Sequence, residues 1–135
     1  MSVLSSLHQF SDWGLLALRL GVGITFLVHG NQKRAMWRMQ PSAQMPAGQL
    51  SLLKVLSIAE PLGGLATLVG LLTQAAAAGF IVVMLGAIRL KVMQLHKGFT
   101  GEGGWELEFL LLVGALALLF LGARKFALDR VLLGI

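Results

Sequence analysis

Four apolar stretches, each close to the length of a bilayer crossing, leave this chain few folds to choose from. The first runs from about Trp13 to Lys33 and the second from Leu50 to Leu72. The third runs from Gln74 to Leu95 and the fourth from Trp105 to Gly122. A membrane-spanning helix needs about 20 predominantly apolar residues, and it satisfies its own backbone hydrogen bonds in lipid. The second and third stretches meet at Thr73 and Gln74, so a tight hairpin is expected there. One unbroken helix through both would run to roughly 45 residues, far beyond the hydrocarbon core. Composition agrees with a lipid solvent: 56% of residues are hydrophobic and only 13% charged, against about 25% charged in soluble domains. The expectation is an all-α, integral membrane four-helix bundle, a single transmembrane domain over residues 1–135.

The net charge of +5 sits on residues that flank or enter the apolar runs. Anionic lipid headgroups therefore explain it better than nucleic acid. Cysteine is absent, which removes disulfide, thiol redox and thiolate-metal chemistry from this chain. Met1–Phe10 carries no Lys or Arg, so the first helix is expected to act as an uncleaved targeting signal. The longer connections, 34–49 and 96–104, are punctuated by Pro41 and Pro46 and by Gly98, Gly101, Gly103 and Gly104. Met36, Trp37 and Met39 suit the first of them to the membrane interface. Ala75–Ala78 with Gly79 and Gly86 give the third helix a small-residue surface for close packing.

Ionisable residues inside such helices cost about 3 kcal/mol each on insertion scales, so they face the bundle interior and find partners. Arg19, His29 and Lys33 fall within about 80° of one another on the first helix at 100° per residue. The plainer reading of His29 and Lys33 is that they mark the helix end, with Lys33 snorkelling to headgroups. Glu60 lies near the centre of the second helix, too deep to snorkel. Pro61 follows it and removes a backbone donor, and Gly63 and Gly64 permit close approach of a backbone or a ligand. A purely structural Arg19–Glu60 ion pair is the competing reading. The third helix carries Arg89 and Lys91 with His96 at its end, and the fourth opens with Glu106 and Glu108. Alternating topology brings His29, Lys33, Arg89, Lys91, His96, Glu106 and Glu108 toward one membrane face. The convergence predicts a pocket that is polar at its mouth and apolar below.

Four stretches resemble the DoxX family of small four-helix membrane proteins. They are Leu18–Lys33 (LRLGVGITFLVHGNQK), Ala59–Thr73 (AEPLGGLATLVGLLT), Gly101–Leu112 (GEGGWELEFLLL) and Leu121–Asp129 (LGARKFALD). They occur in family order along nearly the whole chain. The family's Gly-Pro-Gly-Arg reads Gly122-Ala123-Arg124 here, and its Ser-Leu-Asp reads Ala127-Leu128-Asp129. The resemblance implies a multi-pass protein of a bacterial inner membrane, linked to thiosulfate:quinone oxidoreductases and to complexes that counter oxidative or quinone stress.

Two functional readings follow. In the first, the chain is a quinone-interacting subunit of an oxidoreductase. Glu60 supplies or collects protons, and Arg19, His29, Lys33, Gly63, Gly64, Lys91, His96, Glu106 and Glu108 form the ligand site. An electron-delivering protein partner is then required, because the chain has neither cysteine nor a Rossmann glycine fingerprint. In the second, the chain is a non-enzymatic anchor for a soluble redox partner, or a carrier of small solutes or lipid. A haem b held by His29 and His96 is a weaker variant, since His29 lies at least one turn deeper. No metal site is expected, because no acid and histidine share the Glu-x-x-His spacing of di-iron bundles. Assembly into an oligomer or larger complex is expected.

Overall fold

The computed structural model describes residues 2–135. It is helical, with no strand among the described residues. A short helix α1 (Val3–Ser6) and a 3-10 turn (Leu7–Phe10) lead into α2 (Ser11–Gln32). A second 3-10 segment, Lys33–Arg38, precedes α3 (Ala47–Val69). Helix α4 (Thr73–Arg89) ends in a π-helical turn, Leu90–Gln94, and α5 (Glu106–Leu121) and the short α6 (Leu128–Leu132) complete the chain. The four long helices form a closed ring of contacts: α2 on α3, α3 on α4, α4 on α5, and α5 back on α2.

Three helical stretches are long and apolar enough to cross a membrane: Val3–Arg38, Ala47–Val69 and Thr73–Gln94. Helix α5 has 16 residues and spans about 24 Å at 1.5 Å per residue, somewhat less than a typical hydrocarbon core. The surface is inverted relative to a soluble bundle. Val82, Leu110 and Phe120 point outward at 71%, 66% and 80% exposure, whereas Arg19 and Glu60 are buried at 1% and 2%. Only a solvent poorer than water in hydrogen bonds favours that distribution.

The core runs through Leu15, Val22, Phe26, Ala77, Phe80, Met84, Leu111, Ala115 and Leu118. Phe26 of α2 and Phe80 of α4 stack across it, with ring centroids 3.7 Å apart and planes 3° from parallel. Helices α2 and α3 cross backbone to backbone. A methyl group on Gly64 would lie 2.6 Å from the Gly23 carbonyl oxygen, and one on Gly23 would lie 2.8 Å from that of Gly64. Such close crossings at small residues are how helices associate in lipid, where no hydrophobic force drives them together.

The α3–α4 hairpin is capped twice. Gly70, at φ 73°, ends α3. Its N–H donates to Thr67 O at 3.3 Å and that of Leu71 donates to Ala66 O at 2.8 Å, which together make a Schellman motif. Leu72 then takes a left-handed φ of 50°. The Asp129 carboxylate accepts from the N–H groups of Leu72 (2.6 Å) and Thr73 (3.1 Å), capping the first turn of α4 from far along the chain.

Candidate functional site

The polar residues at the α2 C-terminal end resolve into two ion pairs. Lys33, directly after α2, donates to Glu60 Oε2 at 2.6 Å. Lys91, in the π turn, donates to Glu108 Oε1 at 2.6 Å and to Gly104 O at 3.0 Å. The first pair joins α2 to α3, and the second joins the end of α4 to the start of α5. Local sequence explains the first. Pro61 packs directly on Gly30, where any side chain would collide with the proline ring. That contact brings the last turn of α2 against the Glu60 level of α3 and lets Lys33 reach down to the carboxylate.

Each pair leaves one carboxylate oxygen unused. Glu60 Oε1 and Glu108 Oε2 are buried and have no hydrogen-bond partner. Buried polar atoms are normally satisfied, so an unpartnered carboxylate oxygen marks a candidate contact for a ligand. The two oxygens differ in surroundings. Glu60 lines a cavity of about 140 Å³ between α3 and α4, with Ala59, Gly63, Ala76, Gly79, Phe80 and Val83. Apart from the carboxylate this lining is apolar. Ala59 and Gly79 are exposed, so the cavity opens sideways between the helices. Gly63 is needed there: a methyl on it would sit 2.8 Å from the Phe80 ring. The expected pocket, polar at its mouth and apolar below, is thus a lateral apolar cleft with one carboxylate. A separate, larger cavity of about 600 Å³ lies at the α2–α3 connection.

Arg19 does not pair with Glu60, so the competing reading of a structural Arg19–Glu60 ion pair is corrected. Its guanidinium lies at the opposite end of the bundle and donates only to backbone carbonyls. The acceptors are Thr67 (3.0 Å) and Leu68 (2.9 Å) at the end of α3, and Ala123 (3.3 Å) and Phe126 (2.5 Å) in the α5–α6 connection. The physical reason is depth. Thr67 and Leu68 lie seven and eight residues beyond Glu60, about 10–12 Å along the helix axis. There α3 ends and its last carbonyls lack intrahelical partners. A shared helical face fixes direction but not height, and at the height Arg19 reaches, carbonyls outnumber carboxylates.

The other candidates scatter. Gly64 is buried in the α2–α3 crossing and does not line the cavity. His29 is half-buried on the last turn of α2. His96 is exposed beyond the π turn, at a left-handed φ of 51°. Glu106 and Arg89 are exposed. Neither histidine lines the Glu60 cavity, and no group of three or more His, Asp or Glu side chains among the described residues could hold a metal. The residues that the structure brings together are therefore Lys33, Glu60 and Gly63, with Lys91 and Glu108 as a second pair.

Asp129 is the important residue that reasoning on charges within apolar runs passed over. It lies beyond the fourth run, and its role is visible only once the chain returns to the α3–α4 turn. Asp129 N–H also donates to Gly70 O at 2.8 Å. Arg19 and Asp129 together fix the closed end of the bundle, opposite the cavity end.

Comparison with known proteins agrees with this architecture. The DoxX family model matches residues 14–96. "Uncharacterized membrane protein Rv3486" of Mycobacterium tuberculosis is 31% identical over 142 aligned residues, covering 92% of this chain and 84% of that protein. "Putative oxidoreductase CatD" of Bacillus subtilis is 32% identical over 127, covering 91% of this chain and 90% of its own length. No solved structure matches. With the family model covering more than half the chain, and two relatives above 30% identity matched along most of their length, the protein belongs to the DoxX family of membrane proteins.

Proposed function

We propose that the protein is a quinone-interacting membrane subunit of an oxidoreductase complex in a bacterial inner membrane. The observation that carries this reading is that Glu60, whose Oε1 is buried without a partner, lines an apolar cavity open to the side of the bundle. An apolar cavity of about 150 Å³ is known to accept benzene, and this one measures about 140 Å³. This volume is on the scale of one six-membered ring, with the substituents and isoprenoid tail of a quinone leaving between α3 and α4 into lipid. The name of CatD as an oxidoreductase points the same way.

The chain's own residues have defined tasks in this reading. Lys33 fixes one oxygen of Glu60 and leaves the other without a protein partner. Gly63 and Gly79 leave room for a ring, and Phe80, held by its stack on Phe26, forms a flat wall. A bound quinone accepts two electrons and two protons on reduction. Glu60 and Lys33, whose side chain is one-quarter exposed, form the route by which both protons reach the ring from the aqueous interface. Electrons come from a partner protein.

The test is a thermal-stability titration of the purified chain with a short-tailed quinone. A ligand that binds only the folded state raises the melting temperature with concentration. A saturable rise in the wild type that is lost in a folded Glu60→Gln variant is the expected result. No rise in the wild type removes the quinone reading and leaves the anchor for a soluble partner.

A further inference from the structure

We infer that the cavity at the α2–α3 connection binds the phosphate group of an anionic membrane lipid. This cavity of about 600 Å³ is lined by Arg34, Ala35, Trp37, Arg38, Ser57 and Ile58. It is distinct from the Glu60 cavity and shares no lining residue with it.

Arg34 and Arg38 line the cavity, and Lys54 stands beside it with Nζ 5.7 Å from the centre of the Trp37 ring. Neither ion pair among the described residues uses any of these cations. The one side-chain acceptor for Arg34 is the neutral Asn31 Oδ1, at 3.3 Å. No carboxylate lines the cavity. Three cations around a concave space with no acidic lining residue suit an anion, and the planar fork of Arg matches the geometry of phosphate oxygens.

The cavity wall is also fixed by hydrogen bonds. Trp37 Nε1 donates to Ser57 Oγ at 2.8 Å, and that hydroxyl donates to Lys54 O at 2.6 Å. These bonds fix the 3-10 segment Lys33–Arg38 against α3 and place both arginines beside it. Ser57 is itself buried, at 6% exposure.

An apolar track next to the cavity favours a lipid over a free anion. Ile58, which lines the cavity, continues along α3 into Leu62, Leu65 and Val69, all exposed and all on one helical face. From Ile58 to Val69 is eleven residues, so these side chains make an exposed apolar track about 16 Å long. A phosphate held by the arginines would therefore have an apolar track for its acyl chain beside it.

The test uses the full chain in mild detergent, with retained lipid counted by native mass spectrometry. Dioleoyl phosphatidylglycerol, dioleoyl phosphatidylcholine and inorganic phosphate are offered separately. The variants are Arg34→Gln with Arg38→Gln, Lys54→Gln alone should that pair not fold, and Arg124→Gln with Lys125→Gln as a control at the opposite end. The expected result is retention of phosphatidylglycerol at least about tenfold above phosphatidylcholine. That preference should disappear in the Arg34/Arg38 variant, weaken in Lys54→Gln and persist in the control. Equal retention of the two lipids, or an unchanged preference in both cavity variants, overturns the assignment. Inorganic phosphate held as firmly as phosphatidylglycerol overturns the lipid in favour of a soluble anion. Loss of a co-purifying acidic protein from the variants, with lipid preference intact, overturns it in favour of a protein partner.

Discussion

Replacing Arg19 should unseat the closed end of the bundle without touching the cavity. Its guanidinium is 1% exposed and donates to four backbone carbonyls, those of Thr67, Leu68, Ala123 and Phe126. Arg19→Met keeps most of the volume and strands all four acceptors where water does not reach. Hydrogen bonds to a charged group contribute about 1.5–3 kcal/mol each, but four bonds from one side chain are far from additive. Removing one member of a buried charged arrangement typically costs about 3–5 kcal/mol, and about 4 kcal/mol is expected here. Arg19→Lys keeps the charge but not the fork, so it should lose about half as much. The assay is reversible unfolding in mixed micelles of a mild detergent and dodecyl sulfate, followed by circular dichroism. An Arg19→Met variant within about 1 kcal/mol of wild type would refute the clamp, since surface substitutions fall in that range. So would an Arg19→Met variant of normal stability that no longer responds to quinone, because Arg19 would then belong to the ligand site.

Three further outcomes follow from the geometry. Gly64→Ala places a methyl 2.6 Å from the Gly23 carbonyl oxygen and forces α2 from α3; it should lose about 1–3 kcal/mol, whereas Gly21→Ala, with nothing within 4 Å, should stay within about 0.5 kcal/mol by the same unfolding assay. Asp129→Ala removes the acceptor for the Leu72 and Thr73 N–H groups; a loss of about 1–2 kcal/mol should appear together with faster amide exchange at the first turn of α4. A double-mutant cycle on Lys91→Met and Glu108→Gln should give a coupling of about 0.5–3 kcal/mol, while Lys91→Met with Glu60→Gln should be additive, because those residues belong to separate ion pairs.

The fold was largely legible because lipid imposes one rule on every segment. A run of apolar residues must be a helix, and an ionisable group within it must face inward. That rule located Glu60 and Glu108, both buried. It did not select their partners. A helical wheel places Arg19 and Lys33 on related faces, yet Lys33 takes the carboxylate because Pro61 seats on Gly30 and sets the height of α2 against α3. Arg19 finds carbonyls because α3 stops at Gly70 and leaves its last acceptors open. Asp129 was illegible for a related reason: a helix cap is normally sought next to the helix it caps, and this one comes from 57 residues away in the chain. The π turn at Leu90–Gln94, which carries Lys91 toward Glu108, has no periodic signal of its own.

The claim at the centre of this account is that the cleft beside Glu60 receives a quinone ring, and blocking the cleft tests it most directly. Gly79 lines the cavity and a side chain there meets no atom within 4 Å of its Cβ, so Gly79→Leu should fold and fill the space. Gly86, on the same helix and equally unobstructed, lies outside the cavity and serves as the control. The measurement is the quinone-induced rise in melting temperature of both variants beside the wild type. Gly79→Leu is expected to abolish the rise and Gly86→Leu to preserve it. An undiminished rise in a folded Gly79→Leu variant would show that quinone binds elsewhere and would contradict the account.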